Sequence, residues 1–223
     1  MSACYIKRSK ALNKPCAWYQ RFATFATRVG FKQSNCDFSL FIHHSHSGIA
    51  YLLLYVHDIL LTASSTALRD SIISSLNAEF AMTDLGKLHY FLGITIKYNN
   101  AGLFLQQKTY AMEILQRANL SECNSCTTPA DARGKLSDEG SSPMSDPKLY
   151  RSLAGALQYL TFTRPDIAFA VQQVCLFVHG PLDSHYNALK RILRYIKGTL
   201  DQSLQLTPKT SDTLTACSDA DWA

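Results

Sequence analysis

The tetrapeptide Tyr55-Val56-His57-Asp58 interrupts two strongly apolar runs, Ile49 to Tyr55 and Ile59 to Ala63. A carboxylate at that bend stands exposed on a rigid support, the arrangement that holds a divalent cation at a nucleic-acid active site. On local pattern alone an ordinary hairpin turn is the simpler reading. Three histidines, His43, His44 and His46, fall at or beside another predicted hairpin tip. Neighbouring strand residues point to opposite faces, so His44 and His46 share a face that excludes His43, and a solvated turn fits them better than a metal site. Cys123 and Cys126 form a single Cys-x-x-Cys with no second pair at zinc spacing nearby.

A second candidate lies near the carboxyl end. Lys190, Arg191, Arg194 and Lys197 collect on one side of a predicted helix, and Leu189, Ile192, Leu193 and Ile196 form the opposite stripe. No acidic residue falls between Asp183 and Asp201. This makes the helix a candidate phosphate-facing surface, beside the ordinary reading of a solvated helix face.

The elements that must position these groups follow from periodicity. Trp18, Phe22, Phe25 and Val29 recur at helical spacing and Gly30 marks the stop. Ser39 to His43 and Ile49 to Tyr55 read as a hairpin whose second strand is buried on both faces, and Ile59 to Ala63 as a further strand. A helix follows Ser65 and runs to Phe80; Leu88 to Tyr98 and Leu103 to Gln107 read as strand, turn, strand; Lys108 to Ala118 is helical. Residues 121–147 are rich in Ser, Thr, Pro, Asp and Gly and read as a linker or long loop. Three helical stretches come next, Asp146 to Thr163, Pro165 to Val178 and His185 to Lys197, before short strands from Leu204 that look like the start of a new unit. The pattern is that of an α+β fold.

Composition bounds the function class. With 223 residues, 47% hydrophobic and 17% charged, the chain has enough apolar material for one good core or two small ones and too much for a disordered chain. No apolar run reaches the roughly 18–20 residues that a membrane span needs, so a soluble globular protein with no membrane partner is the expectation. Residues 1–60 hold seven basic groups against Asp37 and Asp58, and the remaining basic and acidic residues cancel, which permits a polyanion partner without demanding one. Seven cysteines at irregular spacings do not read as a disulfide framework, so a reducing compartment is the default.

Several longer stretches, taken in order, resemble the reverse transcriptase of copia-type retrotransposons. They are Ala17-Trp18-Tyr19-Gln20-Arg21-Phe22, Tyr51 through Thr62 around the Val-His-Asp turn, and Met82-Thr-Asp-Leu-Gly-Lys-Leu-His-Tyr-Phe-Leu-Gly-Ile. Tyr150-Arg-Ser-Leu-Ala-Gly-Ala-Leu-Gln-Tyr, Thr163-Arg-Pro-Asp-Ile-Ala, Leu189-Lys-Arg-Ile-Leu-Arg-Tyr-Ile-Lys-Gly-Thr and Ser218-Asp-Ala-Asp-Trp-Ala extend the match over nearly the whole chain. The resemblance implies a right-hand polymerase with the palm at residues 1–107, a thumb-like segment and linker at 108–147, a helical connection region at 148–203 and the first strands of a truncated RNase H-like unit at 204–223. It implies two Mg²⁺ ions held by three palm aspartates, one upstream and two from a Tyr-x-Asp-Asp turn, and Asp219 as the first ligand of an incomplete RNase H site. It also places Phe91, Leu92 and Gly93 at the family's primer-holding hairpin, where a glycine permits close backbone approach, beside the simpler reading of a strand kink.

Departures from the pattern set the functional expectation. His57 stands where the family has the first aspartate of the turn, offering nitrogen to an ion that prefers oxygen, so Asp58 alone remains as a weak metal ligand. Because Met1 falls just ahead of the Ala17-Trp18-Tyr19 segment, the upstream strand and its aspartate are expected to be missing. The stretch Arg8 to Ala17 departs from the family's nucleotide-facing pattern, and the later acidic partners of Asp219 are expected to be absent. The expectation is therefore a catalytically inactive member with weak, nonspecific binding to RNA–DNA hybrid or DNA. The alternatives are a piece of an active polymerase completed from elsewhere and a non-catalytic protein that associates through exposed apolar strands.

Overall fold

Alternating burial along the strands builds the first part of the chain. The computed structural model describes residues 2–8, 15–46, 48–56, 58–80, 82–131, 136–137 and 141–208, in two units, Met1–His89 and Tyr90–Ala223. In the first unit, β1 (Ser2–Arg8), β2 (Phe31–Gln33), β3 (Leu40–Ser45), β4 (Gly48–Tyr55), β5 (Asp58–Ala63) and β6 (Met82–Lys87) form one sheet in the order β2-β3-β4-β5-β1-β6. All its pairings are antiparallel. Helices α1 (Pro15–Arg28) and α2 (Thr66–Glu79) follow β1 and β5, which gives the split β-α-β connectivity with β1 inserted between β5 and β6.

One face of this sheet is a core. Cys4 and Ile6 of β1, Leu52 and Leu54 of β4, and Ile59 and Leu61 of β5 are buried together with Trp18, Phe22 and Phe25 of α1 and Leu68, Ile72 and Leu76 of α2. Aromatic edges lock the helices together: Trp18 meets Phe80 at 4.9 Å and Phe25 meets Phe80 at 5.2 Å between centroids. The two helices are also tied by Arg21 and Arg28, which donate to Glu79 at 3.2 and 2.6 Å and hold its carboxyl below its usual value. Ser65 caps α2 by accepting from the Leu68 amide.

The second unit joins a small sheet to a helical cluster. Strands β7 (Tyr90–Phe91), β8 (Ile94–Asn99), β9 (Gly102–Gln106) and β10 (Leu204–Leu206) pair in the order β10-β9-β8-β7. Helices α3 (Lys108–Arg117), α4 (Pro147–Leu160), α5 (Ala168–Cys175) and α6 (Asp183–Gly198) bury Ile114, Tyr150, Leu153, Leu157, Leu189 and Leu193 in one core. Asp146 caps α4 through the Lys148 and Leu149 amides, and the buried Tyr150 hydroxyl donates to Val174 O at 2.7 Å. His185, fully buried, stacks on Phe177, accepts from the Leu182 amide at its own helix start and reaches Ser137 O at 2.9 Å.

The α+β class holds, and four local expectations change. β4 is buried on one face only, because it is a sheet strand with helices on a single side; Tyr51 and Tyr55 are exposed. The run Leu88 to Tyr98 is not one strand: Leu92 and Gly93 take positive φ and fold it into a tight hairpin. A strand precedes Trp18, since β1 closes the sheet by pairing with both β5 and β6. Leu204–Leu206 returns to β9 by hydrogen bonding, so these residues complete a sheet. The strand-like stretch around Asp219 lies outside the described residues.

The Thr163-Arg-Pro-Asp stretch acquires a structural role. Arg164, almost fully buried, grips both oxygens of Asp166 at 2.9 and 2.7 Å and donates to Thr199 O and Oγ1 at the end of α6. Burial works to raise the Asp166 pKa, but the Arg164 bonds and charge outweigh it and hold the carboxyl below its ordinary value. Arg164→Ala is expected to destabilise the chain by about 3 kcal/mol, measured by urea unfolding, because it leaves a carboxylate and a helix end without their shared partner. A loss below a tenth of that would mean the clamp is idle.

Candidate active site

Strands β4 and β5 are joined by only two residues, since Tyr55 and Asp58 are register partners. Two-residue hairpin links match the twist of the strands when their backbone takes positive φ, which is why Asn and Gly dominate them. Here the first link residue is Val56 with φ 53°, a conformation that costs a β-branched side chain on the order of 1–3 kcal/mol. The surrounding structure must therefore hold the turn in place.

Two side chains do so. The indole Nε1 of Trp18, on α1, donates to the carbonyl of Val56 at 3.1 Å. From the neighbouring strand, the Tyr5 hydroxyl donates to Asp58 Oδ1 at 2.7 Å. Register explains the second contact: Lys7 pairs with Asp58 and Tyr5 with Leu60, so Tyr5 lies diagonally across from Asp58. Both point away from the core face, because Cys4 and Ile6 on one strand and Ile59 and Leu61 on the other point into it. Burial and then the Asp58 hydrogen bond push the Tyr5 phenol up to about 12.

Among the described residues, the donors around Asp58 are too few for a pair of magnesium ions. Asp58 gives one oxygen to a phenol proton, and among the described residues no group of three His, Cys, Asp or Glu side chains gathers to hold an ion. His57 and Asp219 lie outside the described residues. The other sequence candidates are dispersed. His43 faces Phe31 at 5.2 Å, on the core side of the sheet, while His44 takes the opposite side. Cys126 directs its thiol to the carbonyls of Thr128 and Arg191 at 3.4 and 3.3 Å.

Phe91, Leu92 and Gly93 form the β7–β8 hairpin, with φ of 49° at Leu92 and 79° at Gly93. The Leu92 carbonyl at its tip accepts from the Tyr159 hydroxyl of α4, a contact that no local pattern signals. The basic residues of α6 meet a strap formed by Ser121 to Asp131. Lys197 Nζ donates to Ser121 O, Arg194 Nε to Asn124 O at 2.8 Å, and Arg191 Nη2 to Thr128 Oγ1 at 2.8 Å. Gly198 lets the strap approach, since a Cβ there would stand 2.8 Å from that of Ser125. Lys190 lies 4.9 Å over the Tyr186 ring.

Sequence reading singled out Asp58 and missed Tyr5. The only available signal was alternation in Ala3-Cys4-Tyr5-Ile6, too short to distinguish a strand from a loop. Tyr5→Phe is expected to cost about 1 kcal/mol by denaturant unfolding. A raised phenol pKa contributes stability that is complete below pH about 10 and is lost as pH rises toward 12. Burial also raises Tyr98, Tyr150 and Tyr195, so alkaline titration followed by tyrosinate absorbance should lose one of several late-ionising tyrosines in Tyr5→Phe; an unchanged curve would contradict the contact.

Comparison with known proteins bears on the whole chain. Residues 8–132 match the family described as reverse transcriptase (RNA-dependent DNA polymerase). The chain is 41% identical over 209 residues to the retrovirus-related Pol polyprotein from transposon RE2 of Arabidopsis thaliana, covering 94% of this chain and 14% of that protein. It is 46% identical over 173 residues to the uncharacterized mitochondrial protein AtMg00810 of the same plant, covering 78% of this chain and 72% of that one. The retrovirus-related Pol polyprotein from transposon TNT 1-94 of Nicotiana tabacum is 32% identical over 200 residues, 85% of this chain and 15% of that protein. The chain thus spans about one seventh of the length of the Pol polyproteins it matches. No solved structure matches it. With the match extending from the amino-terminal sheet through α6, the chain belongs to the reverse transcriptase (RNA-dependent DNA polymerase) family of copia-type retrotransposon Pol polyproteins.

Proposed function

We propose that this chain is a reverse-transcriptase segment that does not extend a primer by itself and retains weak, salt-sensitive, sequence-nonspecific binding to RNA–DNA hybrid or DNA. One observation carries the reading: the Asp58 carboxylate at the palm-like turn accepts a hydrogen bond from Tyr5 at 2.7 Å, beside a His57 that replaces the family's carboxylate. Reverse transcriptases use divalent metal, and losing a single element of preorganised electrostatic stabilisation costs about 10²- to 10³-fold in rate. Replacing one carboxylate by imidazole and engaging another with a phenol weakens two such elements.

Binding has a different basis. Arg191, Arg194 and Lys197 keep their charge while donating to strap carbonyls and a hydroxyl, Lys190 lies over the Tyr186 ring, and Arg191 remains 39% exposed. Asp131, 3.8 Å from Arg191, offsets only part of that charge. No helix among the described residues is long and apolar enough to cross a membrane. A second reading, in which sequence outside the chain completes an active polymerase, is favoured by the small share of the Pol polyproteins that the chain spans.

Primer extension on an RNA template with Mg²⁺ or Mn²⁺ tests the first reading: no incorporation is expected, and metal-dependent synthesis would overturn it. Under the second reading, His57→Asp raises activity once the upstream segment is supplied. Filter binding to RNA–DNA hybrid across a salt series should give a log–log slope of about −3.6, as expected for roughly four phosphate contacts on a duplex. The slope should flatten when the four cations of α6 are changed to glutamine; no affinity at low salt would contradict nucleic-acid binding.

A further inference from the structure

The Tyr90–Ala223 unit contains a cavity of about 1140 Å³ between α5, α6 and the strap. Its walls combine two chemistries. Leu120, Val174 and Ile192 supply an apolar floor, while Lys190, Arg191 and Arg194 place three cations within little more than one turn of α6. Asp131 also lines it, 3.8 Å from the Arg191 guanidinium, longer than a strong charge-assisted hydrogen bond, and its side chain is 63% exposed. The Nε of Arg191 is sealed from solvent and has no hydrogen-bond partner among the described residues. At the rim, Phe169 of α5 leaves two thirds of its surface uncovered.

The geometry points to a binding site for a nucleoside 5′-phosphate, either a free nucleotide or the phosphorylated end of a strand. Three adjacent cations select an anion, and clustering within little more than one helical turn suits the oxygens of a single phosphate better than spaced carboxylates. Arginine's planar fork matches phosphate geometry, so Arg191 and Arg194 are the groups that grip the phosphate oxygens. An exposed phenyl ring above an apolar floor then accepts the flat base by stacking. The cavity uses no residue of the Asp58 turn, so the outcome of primer extension does not bear on it. It shares cations with the proposed duplex-binding face, and Phe169, which carries no charge, tells the two apart.

Calorimetric titration of the full chain with adenosine 5′-monophosphate tests the site, alongside 5′-phosphorylated and 5′-hydroxyl trinucleotides. Saturable binding at one site per chain is expected for the mononucleotide, the phosphorylated trinucleotide or both; the arm that binds more tightly identifies the source of the phosphate. Arg191→Gln should weaken binding at least tenfold. That change also loosens the strap, so Phe169→Ser at an exposed position is the second variant: it should weaken the nucleotide severalfold while leaving duplex binding unchanged. Absence of binding, equal affinity for the 5′-hydroxyl and 5′-phosphorylated trinucleotides, no effect of Phe169→Ser, or displacement of the nucleotide by a polyglutamate peptide at equal concentration would each overturn the assignment.

Discussion

A two-residue link between twisted antiparallel strands leaves its backbone little freedom, and here it forces Val56 into the left-handed region. A β-branched residue does not stay there unaided. Its carbonyl is caught by Trp18, whose own ring is wedged among Phe22 and Phe80, and the next described residue, Asp58, is caught by Tyr5. The turn is thus held by one group from a helix and one from a neighbouring strand. The depth of the aromatic core and the insertion of β1 into the sheet both serve the position of one carboxylate.

The same constraint decides what the carboxylate is free to do. An aspartate at a polymerase turn contributes by offering oxygen lone pairs to cations shared with other carboxylates. At Asp58 one oxygen is already the acceptor of a phenol whose proton is bound more tightly than usual. The turn is held by hydrogen bonds from protein donors. The second unit follows a similar logic: Arg191, Arg194 and Lys197 hold a strap through hydrogen bonds, and the charge that remains governs what the helix attracts.

The sequence was most informative where one physical signal acted alone. Helical spacing of Trp18, Phe22 and Phe25 gave α1, Ser65 gave the start of α2, and the paired apolar runs gave the hairpin that carries Asp58. It was least informative where a contact joins distant residues. The Tyr5–Asp58 and Tyr159–Leu92 bonds span 53 and 67 positions, and their register is set by sheet pairing and helix packing that no local window contains. The basic face of α6 was legible as charge. That a segment beginning some seventy residues earlier would lie across it was not, because a Ser-, Thr- and Pro-rich stretch reads as a loop whether it is free or strapped down.

The proposed loss of metal binding rests on the hydrogen bond from Tyr5 to Asp58. Manganese titration followed by electron paramagnetic resonance measures this directly. The native chain should leave the added ion free in solution, with no saturable site that Asp58→Asn removes. Two tightly bound ions, both lost in Asp58→Asn, would contradict it.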